Sequence, residues 1–175
     1  MKILKKVLIV ILAIVAIPFV VALFVTNDYA VKSEIVINKP SQEVFDYVKY
    51  LKNQDYYNKW VMADPNMKKQ ITGTDGTVGS VYAWDGNDDV GKGEQEIKSI
   101  ENGQQITTEL RFIRPMESTA QTTMQTIAEG AQTKVTWEMK GRNKYPMNFM
   151  NLFIDKMLGK DQMTSLKMLK ENLEK

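Results

Sequence analysis

The chain has 175 residues, 23 Lys and Arg against 21 Asp and Glu, and neither histidine nor cysteine. That length holds one ordinary domain and a short extra segment, and the missing residue types exclude disulfides, cysteine nucleophiles, Ser-His-Asp triads and zinc sites. Residues 1–29 hold three of the basic residues and one of the acidic ones, which leaves 20 of each in the remainder and no electrostatic footprint for nucleic acid.

Lys2, Lys5 and Lys6 precede an unbroken apolar run from Val7 to Val25. As a helix this run is about 28 Å long, close to the hydrocarbon thickness of a bilayer. Pro18 inside it is tolerated in a membrane span. A cleaved secretory signal has a shorter apolar region and a small-x-small exit, whereas this run leaves through Leu23-Phe24-Val25. Residues 1–28 are therefore expected to form an uncleaved membrane anchor. The lysines before it place the N-terminus in the cytoplasm and the domain, residues 29–175, outside it.

Tyr29 to Asn38 alternates in period two, with Val31, Ser33, Ile35 and Ile37 on one face. Pro40 ends that strand, and Val44, Phe45, Val48 and Leu51 then recur at helical spacing from Ser41 to about Tyr50. Ser41, Gln42 and Glu43 suit a first helical turn, where acceptors and negative charge meet free N–H groups, rather than an active site. A second short helix is expected from Leu51 to Val61.

Beyond Pro65 the texture is β. Strands are expected at Met67–Thr72, Ser80–Trp84, Lys92–Ile100, Gln105–Ile113, Glu117–Ala128 and Thr133–Lys140, with Gly- and Asn-rich turns between them. Short strands without intervening helices imply an antiparallel sheet. From Pro146 to Leu173 helical spacing returns. Phe149, Phe153, Met157, Met163, Leu166, Leu169 and Leu173 are read as one apolar stripe, and Gly159 as a possible bend.

Five stretches in this order, "INKPSQEVFDYV", "YAWDGNDDVGKGEQEIKSIENGQQI", "LRFIRPMESTAQTTM", "TKVTWEMKG" and "GKDQMTSLKMLKENLE", resemble the SRPBCC or START-like superfamily and its polyketide cyclase/dehydrase-like members. The resemblance covers about residues 29–174. It implies an α+β helix-grip fold (START/Bet v1-like), in which a curved antiparallel β-sheet wraps around the long C-terminal helix and encloses an apolar cavity. The anchor precedes this fold as a transmembrane helix. Trp84, Phe112, Arg114, Met124, Trp137, Met139, Tyr145, Phe149, Phe153 and Met157 are the candidate cavity residues. Arg114 could meet a ligand carboxylate or phosphate if it points inward, or sit solvated at the rim. Tyr145, Tyr82, Glu96 and Glu109 are the groups available for acid–base work, and no catalytic residue follows from their spacing.

"DGNDDVGKGEQE" has the carboxylate spacing of a calcium loop, but Val90 stands where the sharp turn needs glycine, and the flanks read as strands. It is taken as a hairpin turn that binds no metal. The pair Gly91 and Gly93 lacks the third glycine and the βαβ setting of a dinucleotide fingerprint, so it is read as structural and no cofactor is implied. The expected function is binding of a hydrophobic small molecule or lipid by a membrane-tethered module. The other classes are a cyclase- or dehydratase-like enzyme using the same cavity, and an envelope structural or protein-interaction module.

Overall fold

The computed structural model describes residues 2–175. Helix α1, Lys2–Ala22, contains the stretch Ile3–Ala22 with mean hydropathy 2.7, exposed along most of its length and buried only at Ala22. It is long and apolar enough to cross a membrane.

The remainder is a seven-stranded antiparallel sheet with helices on its concave side. The strands are β1 Asp28–Ile37, β2 Lys68–Thr72, β3 Val81–Asp85, β4 Lys92–Glu101, β5 Gln105–Arg114, β6 Ser118–Glu129 and β7 Gln132–Arg142, in the order β1-β7-β6-β5-β4-β3-β2. Alternation decides which side chains face inward: Val31 and Ile37 from β1, Ile97 from β4, Ile106 and Leu110 from β5, and Val135, Trp137 and Met139 from β7 are all buried. The positions of opposite parity point to the convex face. Arg111 on β5 there binds Glu94, Glu96 and Glu109, which the β4–β5 register places around it on the convex face.

The corner at "INKPSQEVFDYV" is a helix start. Helix α2, Ser41–Val48, begins directly after Pro40, whose carbonyl accepts the Val44 N–H at 3.2 Å. Val44, Phe45 and Val48 turn inward. The helix expected over Leu51–Val61 is instead a 3-10 turn, Leu51–Tyr56, and a one-turn helix α3, Lys59–Met62. Two side chains dictate the break. The Asp75 carboxylate takes the N–H groups of Leu51 and Lys52, and Asn58, in extended conformation, accepts the Trp60 N–H at 3.0 Å as an N-cap.

A 3-10 turn, Met147–Met150, leads into α4, Asn151–Leu173, which runs through Gly159 without interruption. Gly159 does not split the helix, which lies along β1 there. The Ser33 hydroxyl donates to the Gly159 carbonyl at 3.3 Å. The buried residues of α4 are Gln162, Ser165, Leu166, Leu169 and Leu173, all in its C-terminal half. They close a core with Ile37, Val44, Phe45, Leu51, Tyr57, Ile97, Ile106 and Val135. Full burial of a leucine such as Leu166 or Leu169 is worth about 1.5–3 kcal/mol, so this end of the sheet anchors the fold.

A Cβ at position 159 would lie 3.6 Å from Cγ1 of Val31, an ordinary contact. Gly159→Ala is therefore expected to stabilise the domain by about 0.5–1 kcal/mol through the helix propensity of alanine. Urea unfolding measures this, and a destabilised variant would show that β1 needs the closer approach.

Candidate functional site

Only the C-terminal half of α4 covers the sheet, and the other half of the concave face encloses a cavity of about 340 Å³. Its walls come from β1 (Tyr29), α3 (Trp60, Val61), β3 (Tyr82, Trp84), β5 (Leu110, Phe112, Arg114), β7 (Trp137, Met139) and α4 (Leu158). The chain has three tryptophans, Trp60, Trp84 and Trp137, and all three line it. Trp60 meets Trp137 edge-on with centroids 6.0 Å apart, and Trp84 meets Phe112 at the same distance.

The glycine pair positions this wall. Gly91 has φ +66°, and a side chain there would run into the Arg114 carbonyl. At Gly93 a Cβ would stand 2.6 Å from the Trp84 indole, which lies over that residue and donates to the Val90 carbonyl at 3.3 Å. The stretch Gly86–Gly91 between β3 and β4 is a hairpin connection, and among the described residues no cluster of acidic side chains could hold a metal.

Of the residues singled out from the sequence, Trp84, Phe112, Arg114, Trp137 and Met139 line this cavity. Arg114 is at the rim rather than inside, where its guanidinium donates to Asp85 at 3.2 Å, to Asp88 and to the Gly86 carbonyl. Met124 borders a separate inner void of about 20 Å³. Tyr145, Phe149, Phe153 and Met157 are not on the cavity, and this is a correction. Met157 and Leu166 are nine residues apart, about two and a half helical turns, so they point to opposite sides of the helix. The single stripe read from the sequence is two stripes. The one with Phe153 and Met157 faces outward, each about half exposed.

The sequence reading also missed a chain of buried polar groups. Asn58 donates to Gln54 at 2.8 Å, Gln54 to Gln95 at 2.9 Å and Gln95 to Thr108 at 2.8 Å, and the Thr108 and Thr122 hydroxyls share a bond of 2.7 Å. Gln54, Gln95 and Thr122 border both the cavity and the inner void, so the chain forms a polar partition between them. Gln95, Thr108 and Thr122 occupy inward positions in the strand alternation, a signal the sequence does carry. Gln54 sits in the 3-10 turn, where no periodicity marks it.

The acid–base candidates do not converge. Glu96 and Glu109 bind Arg111 on the convex face, and the Arg111 hydrogen bond holds the Glu96 carboxyl below the usual range. Tyr145 lies edge-on to Phe19 of α1 at 6.5 Å. Tyr82 faces the cavity, but burial first, and then its 2.7 Å bond to Asp55, push its phenol far above the ordinary value. It is a fixed donor to Asp55.

Two predictions follow from these groups. Gln95→Leu strands the Gln54 amide and removes the donor to the Thr108 hydroxyl, and is expected to cost about 1–3 kcal/mol in urea unfolding. Adding Gln54→Leu should cost less than the sum of the singles; strict additivity would deny that the partition acts as a unit. The second concerns pH. Asp46, Asp85, Glu96 and Glu174 have lowered carboxyl pKa values from bonds to Lys49, Lys92, Arg111 and the Asn38 N–H respectively. Their stabilisation is present above the ordinary carboxylate range of about 3.9–4.3 and lost as pH falls through the depressed values. Tyr57 and Tyr82 are raised by burial, so their share is present below about pH 10 and lost as pH climbs toward the folded-state values. Without histidine, Tm should be flat between about pH 5 and 9; an inflection near pH 6.5 would contradict this assignment.

No family model matches the chain, and no curated protein is significantly similar to it in sequence. Solved structures of similar shape do exist. Truncated norcoclaurine synthase from Thalictrum flavum superposes with a TM-score of 0.65 at 9% identity, over 85% of this chain and 95% of that one. Ara h 8.0201 gives 0.61 at 11% identity, over 83% and 97%. The di-domain ARO/CYC BexL from the BE-7585A biosynthetic pathway gives 0.61 at 14% identity, over 85% of this chain and 51% of that one. At these identities the likeness is one of fold.

Proposed function

From the premise that the chain has the helix-grip fold of the SRPBCC or START-like superfamily, we propose that it is a membrane-tethered binding protein for a hydrophobic small molecule or lipid. The observation that carries this reading is the cavity. Its volume of about 340 Å³ falls in the range of small-molecule sites, its walls are aromatic and aliphatic, and one side offers a few fixed amides and hydroxyls. An apolar ligand with a single polar group fits that division. Norcoclaurine synthase, of the same fold, has been solved in complex with dopamine and hydroxybenzaldehyde, which supports a cavity of this kind as a site for small aromatic molecules.

The tether rests on α1. Its apolar surface is exposed from Ile3 to Ile17, with protein contacts only near its end at Phe19 and Ala22, and lysines at its start favour a cytoplasmic N-terminus with the binding domain outside the cytoplasm. A cyclase- or dehydratase-like activity needs acid–base groups in the cavity, and Glu96, Glu109 and Tyr145 lie elsewhere.

Because every tryptophan borders the cavity, a brominated fatty acid bound there quenches the whole tryptophan emission. The full chain in phospholipid nanodiscs should show saturable quenching, and Val61→Phe/Leu158→Phe, which narrows the cavity, should weaken it at least tenfold. Organic extracts of the purified chain should contain a molecule in stoichiometric amount beyond the nanodisc lipids. Quenching that is unsaturable and indifferent to the double variant would refute a cavity ligand.

A further inference from the structure

We infer that the 3-10 turn Met147–Met150 and the first half of α4 lie in the interface of the bilayer that α1 crosses, so that the domain sits on the membrane in one fixed orientation. The inference rests on the tether reading of α1 and goes beyond it, because a tethered domain could equally swing free on its linker.

The linker is held rather than loose. The last carbonyls of a helix have no partners within it. Here the Asn148 amide donates to the carbonyls of Ala22 and Val25 at 2.7 and 2.8 Å. Asn151 donates to those of Thr26 and Asn27, and the Asn143 N–H also bonds the Asn27 carbonyl. Asn143 in turn donates its side-chain amide to Asn151 at 2.7 Å. The end of the anchor and the start of α4 are thereby one polar joint.

Depth follows from this joint. The stretch Ile3–Ala22 is 20 residues, about 30 Å as a helix, which matches the hydrocarbon core and puts Ala22 at its edge. Phe19 lies one turn deeper, and its ring touches Tyr145. Tyr145 is therefore at the level where aromatic side chains gather in membrane proteins. Beside it the domain exposes Met147, Met150, Leu152, Phe153 and Met157. This apolar face occupies the part of α4 that contributes no buried residue to the core. A soluble domain rarely exposes a contiguous face of this kind. Lys144, Lys156 and Lys160, all exposed, lie along it in the manner of an interfacial helix on anionic phospholipid. Leu158 and Tyr29 line the cavity from the neighbouring positions, so the docked face brings the cavity wall toward the lipid.

The chain has no cysteine, so single cysteines can be labelled without further engineering. Phe153→Cys, Met157→Cys, Ile14→Cys and Ile127→Cys would each carry an NBD fluorophore on the full chain in vesicles of phosphatidylcholine and phosphatidylglycerol at 3:1. Ile127 is exposed and sits on β6 at the end opposite Ala120, which pairs with Gly141 next to Tyr29. The labels at 153 and 157 should shift to the blue and be quenched severalfold by doxyl-labelled lipid, like the label at 14, while the label at 127 stays aqueous. Labels at 153 and 157 as aqueous as 127, with 14 quenched, would overturn the docking and leave the tether intact. An unquenched label at 14 overturns the tether and the docking with it.

Discussion

The concave face of a seven-stranded sheet is wider than the one helix available to cover it, and most features of this protein are answers to that shortfall. Leu166, Leu169 and Leu173 seal one end against Ile37, Phe45, Ile97 and Val135. At the other end α4 offers only Leu158, and the apolar strand residues there face an open space instead of a packed partner. An uncovered apolar face is costly in water unless something fills it or encloses it. Here α3 and the connection between β3 and β4 enclose it from the sides, with Trp60 and Val61 from the helix and Val90 from the connection as contributed surfaces.

The boundary between the sealed end and the open end is polar. An amide or hydroxyl buried without a partner destabilises the fold, so Gln54, Asn58, Gln95, Thr108 and Thr122 are tolerable only because each bonds the next. The same requirement fixes their directions. A relay in which every donor is aimed presents the cavity with side chains that have little freedom to move, which lowers the ordering cost of binding a polar group beside them.

The two ends of α4 also separate two tasks. Its last four turns hold the sheet, and its first turn, with the 3-10 turn before it, holds the end of α1 and the segment after it through Asn148 and Asn151. The continuous helix connects the joint at the end of α1 to the core, and its Gly159 carbonyl accepts from Ser33 of β1 on the way.

Local pattern alone determined the elements. Alternation in the first strand, and β texture bounded by Gly- and Asn-rich turns in the others, marked every strand to within about two residues, the nineteen-residue apolar run marked α1, and the proline after Lys39 marked the start of α2. It also identified Trp84, Phe112, Trp137 and Met139 as inward, because on a strand the facing of a side chain follows from its parity. Only the tertiary structure decided which side of α4 meets the sheet, since both of its stripes are apolar and a helix carries no mark of which neighbour it will have. It likewise decided that Gln54 meets Gln95, 41 positions away, and that Asn148 meets the end of α1. Those contacts depend on where separate elements come to rest, and neither residue lies in a pattern that its own neighbours repeat.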